Sequence, residues 1–158
     1  MKSILIVGVS HSGKSTTITE VCKKLNPEKV WRLVPNKTEP EKSSIQIDSL
    51  ENIFNNTFII SVKGKNILIV AGATTEQVIQ ITILIDICIK INLKIDFIIA
   101  SMRSFEKLAD FDTRNELKKL SELILEEKIV KIPQDNFKDQ DEWKNRINKI
   151  TNLTLENL

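Results

Sequence analysis

The stretch Gly8-Val9-Ser10-His11-Ser12-Gly13-Lys14-Ser15 decides how the rest of the chain is read. Ahead of it, Ile4-Leu5-Ile6-Val7 is a short apolar run of the kind a buried strand makes. Behind it, Ile18, Val21, Cys22 and Leu25 recur at i, i+3, i+4 and i+7. That spacing predicts a helix from about Lys14 to Leu25, stopping near Asn26-Pro27. A strand, a glycine loop and a helix in that order form an anion cradle, because the loop N–H groups and the positive end of the helix dipole converge. The chain has four glycines, Gly8, Gly13, Gly64 and Gly72, and two of them bound this loop. The plainer reading, a glycine turn with Lys14 as a solvated lysine, does not account for pattern and flanks arriving together.

The pattern G-x-x-x-x-G-K-[S/T] resembles the Walker A loop of the P-loop NTPase superfamily. The resemblance implies that Gly8, Ser10, His11, Ser12, Gly13, Lys14, Ser15 and Thr16 hold the phosphates of ATP or GTP. It implies that Lys14 reaches the β- and γ-phosphates and that the Ser15 hydroxyl sits on Mg²⁺. Residues 8–15 match a motif closely; elsewhere only the layout is similar.

With 158 residues the chain suits one domain, 1–158, with room for a substantial core. An apolar share of 41% and a charged share of 28% are those of a soluble globular protein. The formal charge of +2 is nearly balanced, so nothing points to nucleic acid or an anionic membrane as partner. Cys22 and Cys88 lie in apolar patterns, with neither metal spacing nor a disulfide framework. Met1 runs directly into the first strand, so no signal peptide is expected and the cytoplasm is the default location.

Further along, Trp31–Val34 and Ile45–Asp48 predict short strands. Between them the polar segment 36–44 carries Thr38, Ser43 and Ser44, hydroxyls that in a P-loop protein come back over the phosphates or else line an ordinary surface loop. Residues 57–62 and 66–70 flank Lys63-Gly64-Lys65 and predict a hairpin. A hairpin followed by a glycine turn resembles the second and third strands of the small GTPases. That family's D-x-x-G acid is missing, since Ile69 holds its place and Ala71 ends the strand. Glu76 is the nearby carboxylate that could stand in; it is equally explained as a first-turn acid of a helix capped by Thr74 or Thr75.

Residues 75–94 alternate like a strand but are too long for one, so a helix is expected, with Val78, Ile81, Ile85 and Cys88 on its buried stripe. Residues 95–100 predict the next strand. It delivers Arg103 beyond its carboxyl end, either to a phosphate or base or to a surface pair with Glu106. Ser101-Met102-Arg103-Ser104 does not match the N-K-x-D of GTPases, so guanine selectivity has no support. A turn or two of helix is expected over 105–112. A helix capped by Thr113 follows over 114–127, burying Leu117, Leu120, Leu123 and Ile124; then come a last strand at 129–132 and a last helix with Trp143, Ile147 and Ile150 inward.

This order predicts a three-layer α/β/α sandwich with a mostly parallel sheet, P-loop-like throughout. Three functions follow. The first is an ATP-dependent phosphotransferase or NTPase using Mg²⁺, with Lys14, Glu76 and Arg103, or Arg114, carrying the chemistry. The second is a switch resembling a degenerate small GTPase. The third is a nucleotide-binding regulatory protein that has lost catalysis.

Overall fold

The computed structural model describes residues 1–158. The chain is α/β: a mixed sheet of seven strands in the order β3-β2-β4-β5-β6-β1-β7, with five α-helices. The strands are β1 (Lys2–Gly8), β2 (Lys29–Val34), β3 (Ser44–Ile47), β4 (Thr57–Val62), β5 (Lys65–Val70), β6 (Phe97–Arg103) and β7 (Glu122–Lys128). The helices are α1 (Lys14–Leu25), α2 (Thr74–Gln77), α3 (Ile81–Lys90), α4 (Thr113–Leu120) and α5 (Asp141–Glu156).

The sheet is half antiparallel, not mostly parallel. β1 pairs in parallel with β6 and β7, and β5 with β6; the β2–β3, β2–β4 and β4–β5 pairs are antiparallel. The antiparallel half arises because 29–70 is joined by short loops, which only antiparallel neighbours permit. The β4–β5 turn is tighter than expected. Lys63 (φ 52°) and Gly64 (φ 74°) are its two central residues, both left-handed as a primed hairpin turn requires.

Alternation along the central strands builds two cores. Ile4 and Ile6 of β1, with Ile67 and Ile69 of β5, face Ile18, Val21 and Cys22 of α1 and Trp143, Ile147 and Ile150 of α5. Leu5 and Val7, with Leu68 and Val70, face Leu84, Ile87 and Cys88 of α3 and Leu117 of α4. A strand covered on both faces has no polar side to show, which is why these runs read as continuously apolar. Both cysteine thiols are buried, and desolvation pushes each up to about 12, so they are unreactive core groups.

Four expectations are corrected. The chain over 105–112 is irregular rather than helical. The helix expected to run to Glu127 ends at Leu120, and 122–128 turn into the edge strand β7 beside β1. A bulge leaves Ile124 as the extra residue, between the pairs Ser3–Leu123 and Ile4–Leu125. Leu123 therefore packs on one core while Ile124 and Leu125 both pack on the other, a pattern easily taken for helical. The strand expected at 129–132 is instead irregular chain; Ile129 N–H still donates to Val7 at 2.8 Å, and Ile129 and Ile132 are buried. The cap of α4 is Asp112, whose carboxylate accepts from Asn115 N–H, rather than Thr113.

The helix expected over 75–94 is two helices, α2 and α3, with a break at 78–80, and 91–94 lie beyond the end of α3. Val78 is left-handed (φ 53°) and 55% exposed, and Ile79 takes the buried place expected for it. Val78 N–H closes on Thr74 C=O, the helix stop that glycine ordinarily fills. A β-branched residue there bears strain of about 1–2 kcal/mol, more than the roughly 0.4–1 kcal/mol of extra chain freedom that glycine brings to the unfolded state. Val78→Gly is therefore expected to raise Tm by about 2 °C in a melting experiment. A lowered Tm would mean that the valine side chain packs against something the strain argument ignores.

Candidate functional site

β1 ends in Gly8, and the loop that follows wraps onto the first turn of α1. Gly8 is required by contact: a Cβ there would meet Ser12 Oγ at 2.3 Å. Gly13 caps α1 in the left-handed region (φ 95°), with no side-chain cap and no acid in the first turn. Backbone bonding begins with Thr17 N–H to Gly13 C=O, so the N–H groups of Gly13, Lys14, Ser15 and Thr16 make no hydrogen bond within the chain. Four free donors at a helix N-terminus, with nothing acidic to answer them, form an anion site.

These donors face a cavity of about 540 Å³ lined by Ser10, His11, Ser12, Gly13, Lys14, Ser15 and Thr16 from the loop and helix. Its opposite wall is Phe54, Asn55, Ala71, Ala73, Glu76 and Arg103. Lys14 is 7% exposed, and its ammonium donates to the carbonyls of Gly8 and Val9, both at 2.9 Å. Burial pulls its pKa below the usual 10.5; Glu76 works against that and Arg103 with it. The Ser15 hydroxyl donates to the Ala71 carbonyl at 3.2 Å, which also accepts from Ser101 Oγ at 2.9 Å. Ser12 Oγ is buried without a partner.

Glu76 and Arg103 arrive from different elements, α2 and the last residue of β6, and pair directly: Arg103 Nε donates to Glu76 Oε1 at 2.9 Å. Both candidate roles for Arg103 had it on a phosphate or on Glu106; it is on the cavity wall but paired with Glu76. Glu106 is occupied otherwise, accepting from Thr113 N–H at 2.7 Å and from the Thr113 and Thr74 hydroxyls. Ser10, His11, Ser12, Gly13, Lys14, Ser15, Thr16, Glu76 and Arg103 thus come together around one hollow; Gly8 does not line it and meets the site only through its carbonyl, which accepts from Lys14 Nζ.

Other expectations part from it. Arg114 pairs with Glu126 on β7, away from the cavity. In the segment 36–44, Thr38 bonds Asn36 and Ser43 accepts from Asn36 N–H, and none of its hydroxyls lines the cavity. Trp143 is a core residue, 4% exposed and edge-on to Phe137 at 5.1 Å.

Phe54 and Asn55 belong to no motif legible in the sequence, yet both line the cavity. They are brought in by Gly72: the N–H groups of Ala71 and Gly72 both donate to Asn56 C=O, at 3.0 and 3.3 Å. The usable signal was Gly72 itself, one of four glycines in the chain, placed where two backbones must touch.

No cluster of three or more His, Cys, Asp or Glu side chains could hold a metal alone, and no helix is long and apolar enough to cross a membrane. The donor set at the cavity, a serine hydroxyl and one carboxylate, still fits Mg²⁺ carried by phosphates, since that ion keeps several waters and takes only one or two carboxylates. No family model, curated protein or solved structure matches this chain.

Proposed function

We propose that the chain is a P-loop protein that binds a nucleoside triphosphate, ATP in preference to GTP for want of any guanine motif, and transfers its terminal phosphoryl group. The observation that carries this is the convergence of four free N–H donors, the buried Lys14 ammonium and the Glu76–Arg103 pair on one cavity. On this reading the sheet, with α1 and α5 on one face and α3 and α4 on the other, is a three-layer α/β/α arrangement of P-loop type.

Phosphoryl transfer asks the protein for positioning and charge neutralisation above all. The N–H groups of residues 13–16 hold the phosphates, and Lys14 leaves the Gly8 and Val9 carbonyls for phosphate oxygens. Ser15 would hold Mg²⁺ and Glu76 would face it across a water; the ion would supply further neutralisation of phosphate charge when bound. An acceptor oxygen, from water or a second substrate, attacks the terminal phosphorus as the bond to the bridging oxygen breaks. Glu76 takes the acceptor's proton, and Arg103, released from Glu76, turns to the phosphoryl oxygens.

A thermal-shift panel of ATP, GTP and their diphosphates, with and without Mg²⁺, tests the binding. At a hundred times Kd the stabilisation is about 2.7 kcal/mol, or a Tm rise of roughly 5–10 °C for a chain of this size. No rise with any nucleotide sinks the reading. Glu76→Gln should keep that shift and lose turnover by about a hundredfold, the usual worth of a general base. Unchanged turnover would remove Glu76 from the chemistry. Undetectable turnover in the native chain despite tight binding would favour the regulatory protein, a reading supported by Ile69 and Ala71 standing where an acid is customary.

A further inference from the structure

The cavity at the loop does not end at Glu76 and Arg103. Across that pair lies a second hollow of about 460 Å³, rimmed by Thr75, Val78, Phe105, Lys107 and Leu108, with the ion pair as the shared wall. Its apolar side chains stand in solvent: Phe105 is 80% exposed, Val78 55% and Leu108 39%. Burying a side chain of this kind is worth about 1.5–3 kcal/mol, which the fold leaves ungained. Val78 is held outward by its left-handed backbone, and strain of this sort gathers at sites that bind.

One charged group points to a particular ligand. Lys107 has no carboxylate partner. A free ammonium beside an apolar wall complements an anionic group on an apolar body. A purely apolar guest would leave Lys107 unmatched, and a sugar would leave the wall wet. The volume lies in the range of small-molecule sites.

We propose that this hollow is a second ligand subsite, for a small molecule with an apolar body and an anionic group, set against the phosphate cavity across the Glu76–Arg103 pair. Only the occupant's role as phosphoryl acceptor rests on the function proposed above; the subsite does not.

The test uses 8-anilinonaphthalene-1-sulfonate, an aromatic body with one sulfonate, followed by its fluorescence on the full chain. One saturable site is expected, weakened about tenfold by Phe105→Ser and by Lys107→Ala, each removing roughly 1.4 kcal/mol of contact. Val78→Gly should weaken it too while raising Tm, which separates lost binding from lost folding. Ile47→Ser, at an 89% exposed residue on the far edge strand, should change nothing. Dye affinity untouched by both Phe105→Ser and Lys107→Ala overturns the subsite. So does equal loss in Ile47→Ser, or a wild-type dimer in sedimentation that Phe105→Ser dissolves. Dye binding with the expected pattern in a chain that answers to no nucleotide upholds the subsite and removes the phosphate reading; the converse removes the subsite alone.

Discussion

Lys14→Ala is expected to weaken Mg·ATP binding by about a hundredfold or more, the larger part of what the loop can provide. Lys14 is buried, yet its ammonium rests on two neutral carbonyls, with Glu76 already committed to Arg103. A phosphate is thus the strongest counter-charge it can meet. Truncating one member of a buried, charged hydrogen bond costs about 2–5 kcal/mol, and each 1.4 kcal/mol is tenfold in Kd. Isothermal titration reads this directly, and equal affinity in the variant would return Lys14 to an ordinary lysine.

The same side chain sets a pH dependence of definite sign. Its pKa in the ligand-free fold is below 10.5, and only the ammonium attracts phosphate. Affinity is therefore full below that lowered value and falls as pH rises through it, earlier than an ordinary lysine would allow. Binding by Lys14→Ala should be flat across that window. Stability of the ligand-free chain moves the other way: between the lowered value and 10.5 the unfolded chain keeps a proton the folded chain has lost, so this group's contribution improves with pH. Wild-type affinity that holds constant up to pH 10.5 would contradict the assignment.

Gly72→Ala should produce the largest loss of stability among single glycine substitutions. A Cβ there would lie 2.0 Å from the Asn55 carbonyl oxygen and 2.7 Å from its carbon. Both are backbone atoms, so no rotamer change relieves the overlap; the 54–56 segment must move away from the end of β5. That movement breaks the two bonds from Ala71 and Gly72 to Asn56 C=O. Overpacking of this kind, with lost hydrogen bonds, costs about 3 kcal/mol or more, a Tm fall of roughly 10 °C. Gly64→Ala is the contrast: nothing lies within 4 Å, so it bears only the left-handed strain of φ 74°. Denaturant melts that rank the two variants equally would show that the 54–56 segment gives way freely.

What could be read in advance was whatever is fixed by neighbours in sequence. The loop, α1 and the β4–β5 hairpin are local, and their glycines and periodicities sufficed. β7 was missed because Glu-Leu-Ile-Leu-Glu-Glu-Lys has helix-forming residues, and only the open edge of β1 draws it into the sheet. Val78 was misplaced because the stripe assumes an unbroken helix, whereas the turn at 78–80 shifts burial to Ile79. Glu76 and Arg103 could each be suspected singly. Their pairing depends on β5 and β6 lying side by side, a long-range fact that no spacing records.

The position of β1 carries a consequence for synthesis. Its neighbours are β6 and β7, so Lys2 pairs with Phe97 on one side and Glu122 on the other. Of the seven strands, β1 emerges before the rest and waits longest, while β2 to β5 find partners close at hand. At ordinary elongation rates a delay of about 100 residues is roughly 5–20 seconds. Through that interval both edges of an apolar strand stay open to other chains, and the loop it carries has no frame. The loop after β1 is made well before the strands that frame it, so a nascent chain stopped before residue 97 holds the whole motif and none of its strand pairing.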